Sequence, residues 1–301
     1  MALAGHNEAD SVRLATFANL FNVRRVDEFT VRSEGRHAGG GFEQSRLFGG
    51  HTAAQIHLAF RCLKPHLLIH TLRVNFVAPG NVDDFIDFTF SEVTGTNFVL
   101  ANITQKGRTI ASAKIRFGLS TELLDQSPYF MPCVGPPLSY SGLYESLRKL
   151  KNENVATAFE NVINRALFDI RAIDFEHVAL RKHSWEPVRF WCSLNAIYKD
   201  SLAVRDGISV VLLLSDYMVI RPVRIHYKQL GRSSEFGGAA SLNHTVWFHT
   251  IDGIDPDGWF LYESSCNRIA NTRSLIEARI FDANGRCVLS SVQEAYINSK
   301  L

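Results

Sequence analysis

The alternation of apolar and polar positions repeats itself between the two halves of the chain. His70-Thr71 opens a run in which Leu72, Val74, Phe76 and Ala78 alternate with Thr71, Arg73 and Asn75. His244-Thr245 opens another, in which Val246 and Phe248 alternate with Thr245, Trp247 and His249. Similar distances downstream, Gly107-Arg108 and Gly285-Arg286 mark the turn into a final alternating run. Period-two runs of this kind are strands with one face on a core. A duplicated sheet unit predicts a pseudo-twofold interface, where a cleft can form and only one copy need keep the chemistry.

The other elements follow the same plan twice. Residues 8–22 have helical spacing at Val12, Phe17 and Leu20; Val23 to Arg32 reads as a first strand; Ser33 to Arg46, with Gly39, Gly40 and Gly41, reads as a mobile loop. Gly49-Gly50 begins a helix whose Ala53, Ile56, Phe60 and Leu63 follow a three-four spacing. Ala53, Ala54 and Ala59 are small enough to let it lie close on a sheet. Four strands are predicted near 66–78, 83–93, 96–106 and 108–118. Pro128, Pro132, Pro136 and Pro137 fall within ten residues and mark an inter-domain connection, with a helical stretch over 141–166. The second unit has strands near 167–176 and 187–195, a helix around 202–217, and strands near 240–251, 258–268, 273–283 and 286–297.

Each unit is therefore one strand or more, a buried helix and an antiparallel meander. A sheet wrapped around a central helix is the hotdog arrangement, so the expected fold class is α+β, a double hotdog. The expected division is 1–120 for the first unit, 121–166 for a linker and 167–301 for the second. At 301 residues each unit is expected to bury its own core.

Charge and cysteine usage narrow the function classes. Lys plus Arg is 32 against 30 for Asp plus Glu, so no basic field argues for a nucleic-acid partner. No apolar run approaches the roughly 18 residues of a membrane span. No basic region precedes an apolar block at the N-terminus, so a secretory signal is not expected. The five cysteines are dispersed and form no C-x-x-C pair; they read as thiols in a reducing compartment. Ser299-Lys300-Leu301 is the tripeptide read by the peroxisomal import receptor when it is the free C-terminus. The expected location is the peroxisomal matrix, and masking Leu301 with a tag should leave the protein cytosolic.

Asp216 is the most informative carboxylate. It follows the run Ile208-Ser209-Val210-Val211-Leu212-Leu213-Leu214, which puts it on the second central helix near apolar surroundings. Burial raises a carboxylate's pKa, and poised acids of this sort are common in active sites. The bland alternative is a helix-end acid on a wet rim. Ser241, just before His244, and Gln293, between Val292 and Glu294, each read alone as ordinary strand residues. No G-x-S-x-G elbow surrounds Ser241, which argues against a serine nucleophile. The histidines show no H-E-x-x-H or other paired spacing, so no metal is expected. The glycines at 39–41 lack the lysine of a phosphate loop.

Together, several blocks are more specific than any residue alone. Arg46-Leu47-Phe48-Gly49-Gly50, His70-Thr71 through Pro79-Gly80, Asp216, the run Ser241-Leu242-Asn243-His244-Thr245-Val246-Trp247-Phe248-His249, and Val292-Gln293-Glu294 occur in this order. This set resembles the type II acyl-CoA thioesterases, the TesB-like family, and with Ser299-Lys300-Leu301 its peroxisomal members. The resemblance runs from about residue 20 to the end and is weakest over 120–200.

It implies hydrolysis of fatty acyl-CoA to free acid and CoA, by water that an Asp, a Ser or Thr, and a Gln hold and activate. Carried over, these are Asp216, Ser241 and Gln293, with Asn243 and His244 as supporting residues. No cofactor is implied, because CoA enters as part of the substrate, and the units are expected to pair through their sheets into homo-oligomers. Two positions depart from the pattern: Asn243-His244-Thr245 stands for the usual D-H-S, and His51 for the usual glutamine after Gly-Gly. Asn243 removes a charge expected near Asp216, which could lower activity, while His244 is expected to hold the strand entry. Two rivals remain: a non-catalytic acyl-CoA binding protein, and an enoyl-CoA hydratase. The second usually needs a motif close to G-D-x-N-P-x-H, which Asp216-Tyr217-Met218-Val219 does not provide.

Overall fold

Two helices, α1 (Gly49–Leu63) and α5 (Gly207–Asp216), pack against each other on one face of a single twelve-stranded antiparallel sheet. This computed structural model describes residues 17–39, 45–119, 129–149, 167–179, 185–199 and 206–299. The first half supplies β1 (Val23–Arg25), β2 (Thr30–Ser33), β3 (Leu68–Phe76), β4 (Ile86–Glu92), β5 (Phe98–Gln105) and β6 (Arg108–Gly118). The second supplies β7 (Phe168–Ala172), β8 (Val188–Leu194), β9 (Phe236–Phe248), β10 (Phe260–Ala270), β11 (Arg273–Asp282) and β12 (Cys287–Ser299). Shorter helices are α2 (Leu143–Arg148), α3 (Phe175–Val178), α4 (Ala196–Lys199) and α6 (Arg221–Gln229).

Both long helices form for the reasons their sequences suggest. Ala53, Ala54, Ile56, Ala59 and Phe60 of α1 are buried, the alanines allowing close approach to the sheet. In α5 every residue from Ile208 to Asp216 is buried, as expected of a helix that is apolar all round. Asp206 caps α5 by accepting from the Ser209 N–H at 2.8 Å.

The strand order is β1-β2-β4-β5-β6-β3-β9-β12-β11-β10-β8-β7. The expected four-strand meander is corrected here. The strand that leaves each central helix does not pair with the next one in sequence: β3 lies beside β6, and β9 beside β12. That crossover brings the two repeated strands together at the centre, where Leu72 faces Val246 and Val74 faces His244 across the β3–β9 seam. The apolar residues of both halves form one continuous cluster, from Phe17 and Ile56 through Val246 to Leu289, so each unit's core continues into the other's.

Other differences are local. The single strand expected over Val23 to Arg32 is a hairpin, because the Asp27 carboxylate accepts from the N–H groups of Phe29 and Thr30 and turns the chain. The proline-rich connection is not free in its described part. Its Gly135 carbonyl accepts from the Trp191 indole at 2.9 Å, and Met131, Val134 and Tyr140 pack on Leu261 and Phe281. Of the helix expected over 8–22, residues 17–20 are helical, Phe21 and Asn22 turn out of it with their N–H groups on the Ala18 and Asn19 carbonyls, and 8–16 lie outside the described residues, as do most of 141–166, Gly40, Gly41, Lys300 and Leu301. Helix α6 has no counterpart in the sequence reading. All five cysteines are free, and no described helix is long and apolar enough to cross a membrane.

Candidate active site

Asp216 is the last residue of α5, and it is buried with 8% exposure, not on a wet rim. Its Oδ2 accepts from the backbone N–H of Gly50 at 2.8 Å, and its Oδ1 from the Gln293 amide at 2.8 Å. The same Gln293 Nε2 donates to the Ser241 hydroxyl oxygen. Side chains from α5, β9 and β12 thus converge beneath the central strands, in contact with the first turn of α1.

Local irregularity makes that convergence work. Gln293 faces inward from β12, directly opposite His244. Strict alternation would turn Ser241, three residues before His244, to the other face of the sheet. The register instead shifts between Glu294 and Ala295, so that Asn243 pairs with Glu294 but Ser241 pairs with Ala295, skipping Leu242. Ala295 shares the inward face with Gln293, and the bulge therefore rotates the Ser241 hydroxyl toward the site.

Burial pushes the Asp216 carboxyl up from 3.8 to about 6, although donors from Gln293, Gly50 and Ser241 pull it back. The acid is therefore ionised near neutral pH and still basic enough to take a proton. His244 is fully buried, and that burial lowers it to about 4, so it is neutral. The Ser215 hydroxyl donates to the Leu212 carbonyl at 2.8 Å, which leaves its oxygen to accept from His244 Nε2 at 3.3 Å. His244 therefore ties the last turn of α5 to the sheet, beside Asp216, and does not act as a base.

Asn243 is corrected. Its amide donates to Glu294 at 2.9 Å on the face opposite His244, so it does not support Asp216. His51, on the first turn of α1, makes a buried 3.1 Å contact with His37, and burial holds both rings below the usual imidazole range. The donor missing from the sequence reading is the Gly50 N–H; the Gly49-Gly50 pair opening a helix was its signal. Among the described residues no group of three or more His, Cys, Asp and Glu is placed to hold a metal.

Among the described residues the first repeat has no equivalent constellation. Leu67 precedes His70 as Ser241 precedes His244. Phe117 follows Arg116, the partner of Thr71, as Gln293 follows Val292, the partner of Thr245. At the N-terminus of α5, the related end of the helix pair, Asp206 meets His57 at 3.1 Å. Burial opposes the Asp206 charge, but His57 and Ser209 hold the carboxyl down at about 2.

Comparison with known proteins gives consistent matches. The acyl-CoA thioesterase C-terminal domain family matches residues 153–297. Mouse acyl-coenzyme A thioesterase 8 is 24% identical over 313 residues, covering 98% of this chain and 94% of that protein. The TesB protein of Mycobacterium avium subspecies paratuberculosis superposes with a TM-score of 0.67 at 21% identity, covering 95% of this chain and 98% of that one. A hot dog fold protein from Alicyclobacillus acidocaldarius superposes with a TM-score of 0.71 at 17% identity, with 95% and 98% covered. These superpositions bear out the double hotdog fold.

Proposed function

Because this chain belongs to the type II, TesB-like acyl-CoA thioesterase family, we propose that it is an acyl-CoA thioester hydrolase in which Asp216 activates the attacking water. What supports the mechanism is the convergence of Asp216, Ser241 and Gln293 on one point next to the N-terminus of α1. Gln293 Oε1 is buried and has no partner among the described residues, which leaves it as an acceptor for a water hydrogen. Ser241 fixes the water from the other side.

In this mechanism the water oxygen attacks the acyl carbon as its proton passes to Asp216. The carbonyl oxygen gains charge and is stabilised by backbone N–H donors at the first turn of α1, a helix with no acidic residue there and no side-chain cap. The tetrahedral intermediate collapses with cleavage of the C–S bond. The CoA thiolate takes the proton back from Asp216, giving free acid and CoA.

An assay with a panel of acyl-CoA and enoyl-CoA substrates tests the reading. Free thiol reports hydrolysis, a hydroxyacyl-CoA reports hydration, and binding without turnover reports an inactive binding protein. Where Ser299-Lys300-Leu301 stands as the free terminus, import into peroxisomes belongs to the same proposal. A fluorescent fusion that stays cytosolic only when Leu301 is masked supports it. Homo-oligomer formation through the sheets rests on the family resemblance, and sedimentation of the purified protein tests it.

A further inference from the structure

A closed circuit of contacts runs through Asp216. One arm is the hydrogen bond from the Gly50 N–H to its carboxylate. The other starts at Tyr217, which follows Asp216 directly and ends α5 with its N–H on the Leu214 carbonyl at 3.0 Å. The Tyr217 ring meets the Phe48 ring edge to face, with centroids 6.2 Å apart and planes at 86°. Phe48 is the cap residue of α1, immediately before Gly49-Gly50. Its ring in turn lies against Gly50, where a Cβ would stand 2.8 Å from it. The path from Asp216 to Gly50, to Phe48, to Tyr217 and back to Asp216 is complete.

The circuit is braced from outside. Phe168, the first residue of β7, is fully buried and meets the far side of the pair, its ring 5.1 Å from that of Tyr217 at 66°. Edge-to-face aromatic pairs have a preferred geometry and stabilise beyond the area they bury. The Tyr144 hydroxyl, from α2, lies 3.4 Å from the Tyr217 hydroxyl, longer than an ordinary O–H···O bond. The rings, more than the hydroxyls, therefore hold Tyr217 in place. Its phenol takes no part in the proton transfer; burial raises it to about 12, so it is neutral.

We propose that Tyr217 is a positioning residue for Asp216: its ring, wedged between Phe48 and Phe168, sets the gap between the end of α5 and the start of α1 and keeps bulk water off the carboxylate. The kinetic consequence rests on the thioesterase reading; the wedge itself does not. Burial raises the Asp216 carboxyl from 3.8 to about 6, so opening the wedge should bring it back toward 3.8. The titratable groups on the elements packed around it are neutral at pH 6. Burial holds His51 of α1 and His244 of β9 below the usual imidazole range, and Tyr144 of α2 and Tyr262 of β10 above the usual phenol range.

Steady-state kinetics across pH separate this role from a merely structural one. Tyr217→Leu should lower kcat about tenfold to a hundredfold, with KM for acyl-CoA little changed, and should move the midpoint of the pH–rate profile down. Tyr217→Phe, which keeps the ring, should restore both. Carbon-13 NMR of the Asp216 carboxyl, assigned by its loss in Asp216→Asn, reads the same midpoint without turnover. Phe48→Leu breaks the circuit from the side of α1 and should lower that midpoint too, which keeps the test open where Tyr217→Leu does not fold. A folded Tyr217→Leu protein with the parent's kcat, or with a lowered kcat at an unmoved midpoint, would overturn the wedge, as would an equal loss in Tyr217→Phe. A parent that hydrolyses no acyl-CoA, but whose Asp216 titration falls in Tyr217→Leu, loses the thioesterase reading and keeps the wedge. Hydrolysis by a parent whose Asp216 titration the variant leaves unmoved does the reverse.

Discussion

Asp216 and Gly50 join the two repeats through one hydrogen bond, from the second residue of α1 to the last residue of α5. The bond fixes the carboxylate at a helix N-terminus, where the peptide dipoles favour its negative charge. It requires close approach. A Cβ on Gly49 would stand 2.7 Å from Asp216 Oδ2, and one on Gly50 would stand 2.9 Å from the Leu213 carbonyl oxygen. The glycines are needed here for space; neither has positive φ.

Gly49→Ala should therefore push Asp216 out of line with Gln293. The expected cost is about 1–3 kcal/mol of stability from overpacking. A displacement of this size near reacting atoms should also lower kcat by about tenfold to a hundredfold. Thermal unfolding and steady-state kinetics measure the two effects separately. Wild-type kcat in a folded Gly49→Ala protein would show that the helix contact does not position the base.

The pH dependence follows from burial of Asp216. Its carboxyl is raised from 3.8 to about 6, so turnover should climb with unit slope through about pH 6 and level off above it. Stability should move the other way. The folded state binds this proton more tightly than the unfolded chain does, so the contribution is full below 3.8 and is lost as pH rises through about 6. Asp216→Asn removes the buried charge, and the free Gln293 Oε1 can accept from the new amide once the Gln293 side chain turns over. That variant should lose at least about a hundredfold in turnover and melt no lower than the parent in neutral buffer. A flat pH–rate profile through this range in the parent would remove Asp216 as the base.

Ser241 and Gln293 act on one water in the proposed mechanism, and they share a hydrogen bond. Ser241→Ala and Gln293→Ala should each reduce kcat by less than Asp216→Asn does. The double variant should fall well short of the product of the two single effects, because the first loss already frees the water. Strict multiplicativity in the double-mutant cycle would separate the two residues functionally.

Much of this arrangement was legible in the residues. Alternation located the strands of both repeats, and three-four spacing with small residues located α1. The neighbours of a strand were not legible, because alternation reports which face is buried and not what lies alongside; hence β3 was expected beside β4. Asp216, Ser241 and Gln293 came from a resemblance between blocks. Alternation alone would have turned Ser241 away from Gln293, and only the bulge at Leu242 reverses that. Helix α6 was missed because its apolar residues, chiefly Val223 and Ile225, are few among cations. Its Pro222 also reads as a breaker, although proline in the first turn is compatible with a helix start.

Asn243 offers the sharpest test of position against resemblance. It occupies the place of an aspartate in the family pattern, and the sequence suggested that a missing acid there could weaken catalysis. In the fold its amide donates to Glu294 at 2.9 Å, and Arg273 approaches the same carboxylate at 3.5 Å on the face away from Asp216. Asn243→Asp would set two carboxylates side by side across β9 and β12, an arrangement that costs about 1 kcal/mol or less when partly exposed. The variant should melt slightly lower, with a deficit that added salt reduces, and should keep both its turnover and the midpoint of its pH–rate profile. An increase in kcat, or a midpoint displaced upward, would mean that the charge at 243 does reach Asp216 through the sheet.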